Sequence, residues 1–309
     1  MQMYVLYSDS FYGKVKRKGK KAMTREEIFA QLYSSDTVYP PPLESKSALL
    51  EITTGCSYRK CKFCDFPKDA FTIFPMTEIA RKIELLRLVI DGNPRLHLLG
   101  CNPFCLHTRQ LLQILATIHD RLPCVREISM YARADDILRK SSDELLALFH
   151  AGLTDLHIGL ESGSNAVLML HEKGETIQDI EAAMDALDRC GIRYHLTAIP
   201  GLGGKALSAE HAIKTAAVIS RHRPMSVWCI ALKVWPDTPL ARMVEEGEFV
   251  PLTFHEILAE EREMLSRIDM KIPMLYVDST VLNKYTIIGM LPEKKELMLQ
   301  QMNILLETG

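Results

Sequence analysis

Three cysteines within nine residues constrain this chain more than any other feature. Cys56, Cys61 and Cys64 are spaced C-x4-C-x2-C, and an apolar, strand-like run over residues 48–53 leads directly into them. Three clustered thiolates at the end of a strand, with no fourth cysteine nearby, favour an iron–sulfur cluster in which one iron has no protein ligand. Such an iron can bind a small molecule and pass it an electron, so the sequence predicts redox chemistry at this loop.

Two other interpretations of the cysteines stay open. A zinc site needs four ligands; Asp65 would complete a mixed set, but no second cysteine pair lies close in the sequence. Purely structural, buried thiols are the other alternative, although the basic neighbours Arg59, Lys60 and Lys62 are unusual for core cysteines. We prefer the iron–sulfur interpretation.

Size and composition set the broad class. The chain has 309 residues, enough for one large core, and a net charge of −2, which gives no field that would draw it onto nucleic acid or an acidic membrane. It has no apolar run of membrane-spanning length and no signal-peptide pattern. We therefore expect a cytoplasmic protein whose eight cysteines are thiols or metal ligands, with no membrane partner and no nucleic-acid partner.

Strand-like and helix-like runs alternate through the middle of the chain. This order is typical of parallel strands joined by right-handed crossovers, and six such units predict an α/β fold with a partial (β/α)6 TIM-like barrel. The predicted strands are 48–53, 95–99, 126–131, 154–159, 193–198 and 227–233. The predicted helices between them are 77–91, 109–121, 141–151, 176–190 and 208–222.

The flanking regions are predicted to be separate parts. Residues 1–47 form an N-terminal extension with a solvated basic run at 14–21, residues 48–235 the core barrel, and residues 236–309 a C-terminal helical cap. The cap is predicted to contain helices near 254–267 and 292–307. Between them lies an irregular segment, 272–289, in which a strand is possible, and we expect this region to close the barrel and line a pocket.

Small and polar residues follow each predicted strand, at the barrel edge where such folds place their chemistry. Gly100, Cys101 and Asn102 follow the second strand and Arg133 the third; the segments Ile158–Gly163, Ile199–Gly204 and Leu232–Pro239 follow the fourth, fifth and sixth. Each segment alone is a weak signal. Five of them in order, each after a predicted strand, are a strong one.

With these segments the chain resembles the radical S-adenosylmethionine (SAM) superfamily over about residues 48–235. The superfamily usually spaces its cysteines C-x3-C-x2-C, and this chain has one more residue between the first two. The nearest subgroup is that of coproporphyrinogen III oxidase-like or Elp3/MiaB/NifB-type radical SAM proteins. The resemblance implies a [4Fe–4S] cluster on Cys56, Cys61 and Cys64, and SAM chelated at the open iron.

The resemblance also implies positions that hold SAM. The backbone of Phe63 is expected to meet the adenine, Gly100 and Cys101 the methionyl amino group, and Arg133 a carboxylate. The remaining expected SAM-binding residues are Asn102, Glu161, Ser162, Gly201 and Leu232.

The implied activity is reductive cleavage of SAM to a 5′-deoxyadenosyl radical, which abstracts hydrogen from a small-molecule or peptide substrate in an oxidoreductase-like reaction. A flavodoxin or ferredoxin is the expected reductant. A non-catalytic carrier of the cluster and SAM, or of heme, is the alternative. Cys101 and Cys105, with His107 beyond them, are either ordinary loop residues, which we favour, or ligands of a second metal.

Overall fold

The computed structural model describes residues 4–5, 23–35, 37–38, 40–65, 70–279 and 283–308. The predicted basic run at 14–21 lies outside these residues. In the N-terminal region, the Thr24 side chain accepts from Glu27 N and the Glu27 side chain accepts from Thr24 N, so a capping box opens the first helix. Pro42–Glu44 forms a 3-10 turn that leads into the first strand of the main sheet.

Most strands of the described chain join one sheet. The strands are β1 (Tyr4–Val5), β2 (Thr37–Val38), β3 (Ala48–Glu51), β4 (Thr53–Thr54), β5 (Thr72–Ile73), β6 (Arg95–Leu99), β7 (Glu127–Ala132), β8 (Leu153–Glu161), β9 (Arg193–Ala198), β10 (Ser226–Cys229), β11 (Met274–Asp278) and β12 (Ile287–Leu291). The main sheet has the hydrogen-bonded order β12-β11-β10-β9-β8-β7-β6-β3. The pairs β3–β6, β6–β7, β9–β10 and β10–β11 are parallel, and only β11–β12 among the registered pairs of this sheet is antiparallel.

Helices separate the parallel strands, as the alternation predicted. They are α1 (Arg25–Leu32), α2 (Met76–Leu86), α3 (Thr108–Arg121), α4 (Ala134–Leu138), α5 (Ser142–His150), α6 (Asn165–Leu170), α7 (Ile177–Cys190), α8 (Gly204–Arg221), α9 (Pro239–Glu245), α10 (Phe254–Arg267) and α11 (Lys295–Thr308). None of the helices within the described ranges is both long enough and apolar enough to cross a bilayer.

The chain divides into two compact units. The first comprises Met1–Ser57, Pro67–Ala132 and Lys140–Asp155; the second comprises Tyr58–Phe66, Arg133–Arg139 and Leu156–Gly309. Each unit has an apolar core at the face of its strands. In the first unit Leu50, Leu96 and Ile128 are fully buried, and in the second Leu196 and Val227 are. Buried residues run almost without a break along β6 and β10, as expected for parallel strands covered on both faces.

The last predicted strand is shorter than expected. It was predicted over 227–233, but β10 ends at Cys229. Ile230 N still donates to Ala198 O at the end of β9, whereas Ala231 N donates to the side chain of Asn283 instead of to a neighbouring strand. The irregular C-terminal segment contributes two strands, β11 and β12, so this region adds to the sheet as well as supplying helices.

Candidate functional site

Cys56 belongs to the first unit, where a buried asparagine supports its loop. Cys56 is partly exposed and free of disulfide bonding. The amide of Asn102, which has no exposed surface, donates from Nδ2 to Ser57 Oγ at 2.8 Å. Asn102 was predicted to contact SAM; the structure places its side chain against the residue that follows Cys56, so it supports the cysteine loop.

Gly100 is predicted to serve through its backbone, and its conformation requires glycine. Its φ is +145°, and an added Cβ would lie 1.9 Å from Thr53 Oγ1. The Thr53 hydroxyl is buried and has no hydrogen-bond partner among the described residues. An orphaned hydroxyl beside Gly100 suits a site where a bound ligand supplies the missing polar contact. Cys101, next in the chain, is exposed, and Cys105 is half-buried.

Cys61 and Cys64 belong to the second unit, on a turn held at both ends. Cys64 N donates to Cys61 O at 3.2 Å. Between them, Lys62 N donates to His171 O at 3.0 Å, and Leu240 N donates to Lys62 O at 3.1 Å. The turn is therefore fixed by the backbone ends of α6 and α9, while both thiols remain partly exposed.

Phe63 anchors this turn to an apolar cluster formed by Leu240, Met243 and Phe249. Phe63 and Leu232 both pack against the cluster. The Phe63 ring also meets the His171 ring edge-on, with centroids 5.7 Å apart. Phe63, whose backbone was predicted to meet the adenine, and Leu232, predicted to bind SAM, therefore share one apolar surface.

Tyr58 occupies the extra length of the C-x4-C spacing. Its hydroxyl donates to Glu172 O at 2.9 Å, and the Arg133 guanidinium lies 4.0 Å from its ring centroid. Gly174, at φ +72°, faces the ring closely; a Cβ there would lie 2.1 Å from the Tyr58 hydroxyl. The longer cysteine loop is thus tied to the segment between α6 and α7.

Arg133 and Lys173 form a buried, charged group with acidic neighbours. Arg133 Nε donates to Asp135 Oδ1 at 2.9 Å, and its NH2 lies 3.6 Å from Glu175 Oε2. Lys173 Nζ lies 3.2 Å from Glu161 Oε1 and 3.5 Å from Glu175 Oε2. The predicted residues Arg133 and Glu161 are therefore brought together through Lys173 and Glu175.

The charges of this group explain its pKa shifts. Burial alone lowers the pKa of Lys173, but Glu161 and Glu175 outweigh it and raise that pKa above its ordinary value. Burial raises the pKa of the Glu161 carboxyl, while Lys173 pulls it back. Lys173 is therefore a firmly protonated, buried cation, the kind of group that recognises a carboxylate in a low-dielectric site.

Glu161 is also held in an uncommon backbone conformation. Its φ is +58°, in the left-handed region that non-glycine residues rarely adopt. The conformation ends β8 and turns the chain, and Glu161 O accepts from Ile199 N at 2.9 Å. Such conformations concentrate at functional sites, where the surrounding structure maintains them.

Lys173, Glu175 and Tyr58 were missed by the sequence analysis. The segment Glu172-Lys173-Gly174-Glu175 looks like a solvated turn between two capped helices, yet Lys173 and Glu175 are 6% and 5% exposed. The available signal was a lysine and a glutamate flanking a glycine shortly after a strand-end glutamate. Their burial, which gives them functional interest, depends on tertiary contacts.

Comparison with known proteins places the chain in a family. Residues 50–216, over half of the chain, match the model described as the Radical SAM superfamily. The chain therefore belongs to the radical SAM superfamily, and membership implies a [4Fe–4S] cluster and SAM as cofactors. No curated protein matches the chain by sequence.

Solved structures show the same fold at low identity. The cobalamin-dependent SAM radical enzyme OxsB matches with a TM-score of 0.55 and 14% identity, over 84% of this chain and 46% of that one. Methylornithine synthase (PylB) matches at 0.53 and 17%, over 74% and 63%. The radical SAM methyltransferase TsrM from Kitasatospora setae matches at 0.52 and 19%, over 65% and 39%. The predicted fold class, a mostly parallel α/β fold of the partial TIM-barrel type, is confirmed.

This chain spans 39% to 63% of the length of these three structures. The cofactors that membership implies fit its residues. The three thiols are partly exposed, free of disulfides and positioned on loops after a strand, which suits metal ligation better than core packing. Within the first unit, the orphaned Thr53 hydroxyl suits a polar ligand. Within the second unit, the buried Lys173 cation suits a carboxylate such as that of SAM.

Proposed function

We propose that this chain is an enzyme that cleaves SAM reductively and uses the resulting 5′-deoxyadenosyl radical to abstract hydrogen from a small-molecule or peptide substrate. The observation that carries the proposal is the C-x4-C-x2-C stretch, with three partly exposed thiols free of disulfides, inside the matched segment. A [4Fe–4S] cluster held by these thiolates would supply the one electron needed to break a carbon–sulfur bond of SAM.

The residues of the chain bind and orient. Cys56, Cys61 and Cys64 would hold the cluster. Lys173, with Arg133 beside it, would meet the SAM carboxylate, because both are buried cations and Lys173 stays protonated at neutral pH. Protein groups that hold a cofactor in the geometry of the reaction lower the entropic cost of reaching the transition state.

The apolar residues would exclude water from the nucleoside end. Phe63 and Leu232 pack on one cluster, and Gly201, at φ +91°, approaches Leu232 closely: an added Cβ would lie 3.2 Å from the Leu232 Cβ. A flat, apolar surface of this kind suits an adenine ring. Excluding water protects a reactive carbon radical from side reactions.

We further propose a cytoplasmic location, with a flavodoxin- or ferredoxin-type protein as the electron donor. The reducing cytoplasm suits eight cysteines that are all free of disulfides. We also propose that the reaction is oxidoreductase-like. The structural relatives include a methyltransferase and a synthase, so the likeness to them does not itself assign this reaction class.

The test is an assay for 5′-deoxyadenosine by mass spectrometry, on protein reconstituted with iron and sulfide without oxygen and given SAM and dithionite. Wild-type protein is expected to form product and to be brown. A Cys56/Cys61/Cys64→Ala variant should lose iron and product together, because the cluster ligands are gone.

Two cysteine variants serve as matched controls. Cys124→Ala removes a partly buried thiol away from the motif, and Cys101/Cys105→Ala removes the pair considered for a second metal. Both should keep the wild-type iron content. Iron-loaded wild-type protein that releases no 5′-deoxyadenosine even with candidate substrates, and binds heme in stoichiometric amount, would favour the carrier function. Wild-type protein without iron would overturn the proposal.

A further inference from the structure

A buried polar connection links two loops predicted to hold SAM. One loop is Glu161–Gly163, after β8; the other is Ile199–Gly204, after β9. Three buried side chains join them: Ser162, His211 from α8 and Glu260 from α10. Glu260 lies beyond the segment matched by the family model, which ends at residue 216.

Glu260 holds the backbone of the second loop. Its Oε1 accepts from Gly201 N at 2.6 Å. Gly201 has a left-handed φ of +91° and packs against Ile257, one helical turn before Glu260 on α10. One side of α10 therefore supplies both the apolar contact and the hydrogen bond that fix Gly201, and the carboxylate itself is 5% exposed.

His211 holds the first loop. Its Nδ1 lies 2.8 Å from Ser162 Oγ, which also accepts from Ser164 N at 3.0 Å. Ser162 directly follows Glu161, the residue with the positive φ, so this bond stabilises the turn that aims the Glu161 carboxyl. His211 Nε2 lies 3.7 Å from Glu260 Oε1, so the two halves of the connection are neighbours without a hydrogen bond between them among the described residues.

We propose that Glu260, acting with His211 and Ser162, is a positioning residue for SAM. It fixes the Gly201 loop relative to the Glu161 loop before SAM arrives, so that binding does not have to order them. This inference rests on the proposed function. It assigns part of the SAM site to α10, a helix predicted from the sequence only as a cap.

The protonation states identify the variant that should preserve the connection. Burial lowers the pKa of His211 to about 4, so the ring is neutral at pH 7. Burial raises the pKa of Glu260 to about 7, while Ser208 and the Gly201 amide oppose the rise. Since a neutral carboxyl still accepts through its carbonyl oxygen, the hydrogen bond to Gly201 does not need the charge, and glutamine can replace it.

The experiment compares Glu260→Ala, Glu260→Asp and Glu260→Gln with wild type. Glu260→Asp keeps the acid but withdraws it by one methylene, so it tests the contact if the alanine variant does not fold. Glu263→Ala is the control: Glu263 lies on the same helix, is exposed and pairs only with Arg267 among the salt bridges of the described residues. Thermal unfolding checks that each variant is folded.

Two measurements are made on each protein. Hydrogen exchange of the peptide that contains Gly201 is measured without cofactors. SAM affinity is measured by isothermal titration on reconstituted protein, together with KM and kcat for 5′-deoxyadenosine formation. We expect Glu260→Ala and Glu260→Asp to speed exchange at Gly201 at least tenfold and to weaken SAM binding about tenfold. KM should rise while kcat stays within twofold; Glu260→Gln and Glu263→Ala should behave like wild type.

The outcomes separate the two proposals. Unchanged exchange at Gly201, or faster exchange with unchanged SAM affinity, overturns the positioning role while the proposed function stands. A lower melting temperature with KM unchanged shows that Glu260 only stabilises the fold, and overturns it as well. Wild-type protein that binds iron but no SAM overturns the proposed function and this inference with it.

Discussion

Two buried groups of carboxylates, one in each compact unit, are neutralised in opposite ways. In the first unit, Glu44 is fully buried and Arg95 donates to both of its oxygens; Arg95 also reaches Asp155 at 3.0 Å. In the second unit, Glu261 and Asp278 are 1% and 0% exposed, and neither is in a salt bridge among the described residues. Glu261 Oε2 and both oxygens of Asp278 have no hydrogen-bond partner there.

The difference shows two ways to neutralise a buried acid. Beside Glu44 and Asp155 a cation does it: burial opposes the charge of Arg95, but the two carboxylates raise its pKa above the ordinary value. In the pair Glu261–Asp278 a proton does it, because burial and the neighbouring Glu261 raise the pKa of Asp278 to about 10. The first arrangement depends on a partner residue, and the second depends on pH.

The positions of these two groups in their strands also differ. Arg95 is the first residue of β6 and Asp155 is near the start of β8. The first group therefore lies at the amino ends of its strands, where residues usually stabilise the fold. Asp278 is the last residue of β11, at a carboxyl end. Tyr276 Oη donates to Glu261 Oε1 at 2.6 Å and receives from Cys229 Sγ at 3.1 Å.

Replacing the cation should have the largest effect. Arg95→Met removes the cation that the buried carboxylates of Glu44 and Asp155 share, and we expect it to lower the free energy of unfolding by about 3–5 kcal/mol. Urea unfolding at pH 7 measures it. Arg87→Met is the control, since Arg87 forms an exposed pair with Glu84 and should lose about 1 kcal/mol or less. Equal losses in the two variants would contradict the partner dependence.

Removing the hydrogen bond to the acid pair should have an intermediate effect. Tyr276→Phe keeps the ring but leaves Glu261 Oε1 and the Cys229 thiol without that hydroxyl, so we expect a loss of about 1–3 kcal/mol. The same urea titration measures it. A gain in stability would show that the hydroxyl is not needed to solvate the pair.

Removing one acid of the pair should have the smallest effect near pH 4, and a pH-dependent one above it. Folded Asp278 keeps its proton up to about pH 10, whereas an unfolded aspartate loses it near pH 4. Folding therefore takes up a proton in this window, and this contribution to stability falls as pH rises, by up to about 1.4 kcal/mol per pH unit.

Asp278→Asn should abolish that slope. We expect the variant to be within about 1 kcal/mol of wild type at pH 4 and to become progressively more stable than wild type up to pH 9. Urea unfolding at each pH measures the difference. Asp155→Asn makes the same chemical change beside Arg95 and should be destabilised at pH 6 and pH 9 alike. Parallel pH profiles for wild type and Asp278→Asn would contradict the interpretation that folded Asp278 keeps its proton.

Regular elements could be predicted well from the sequence where local signals were strong. The strands 95–99 and 193–198 and the helix 254–267 were predicted at their observed bounds. Capping boxes open several of the observed helices, as Thr253 and Glu256 do at the start of α10. The domain boundaries at 47 and 235, and the SAM-contact residues, stay predictions.

Short elements and buried charges could not be predicted in this way. Helices α4, α6 and α9 have five to seven residues and escaped the periodicity. Just before α9, Asp237 takes the left-handed conformation, with φ +63°, which glycine adopts more readily than aspartate. The acid pair was invisible because Glu261 sits in a charged helical run, Glu260-Glu261-Arg262-Glu263, and only the fold shows which of these faces inward.

The anchoring of the turn that contains Cys61 and Cys64 has a consequence for how the protein survives oxidative damage. Lys62 is bonded to His171 and Leu240, and Phe63 is packed on an apolar cluster, so protein contacts alone define the shape of the turn. We therefore expect this turn to keep its shape when iron is lost. Rebuilding a lost cluster would then be a local chemical event at this turn, because the hydrogen bonds of Lys62 and the packing of Phe63 hold Cys61 and Cys64 without the metal.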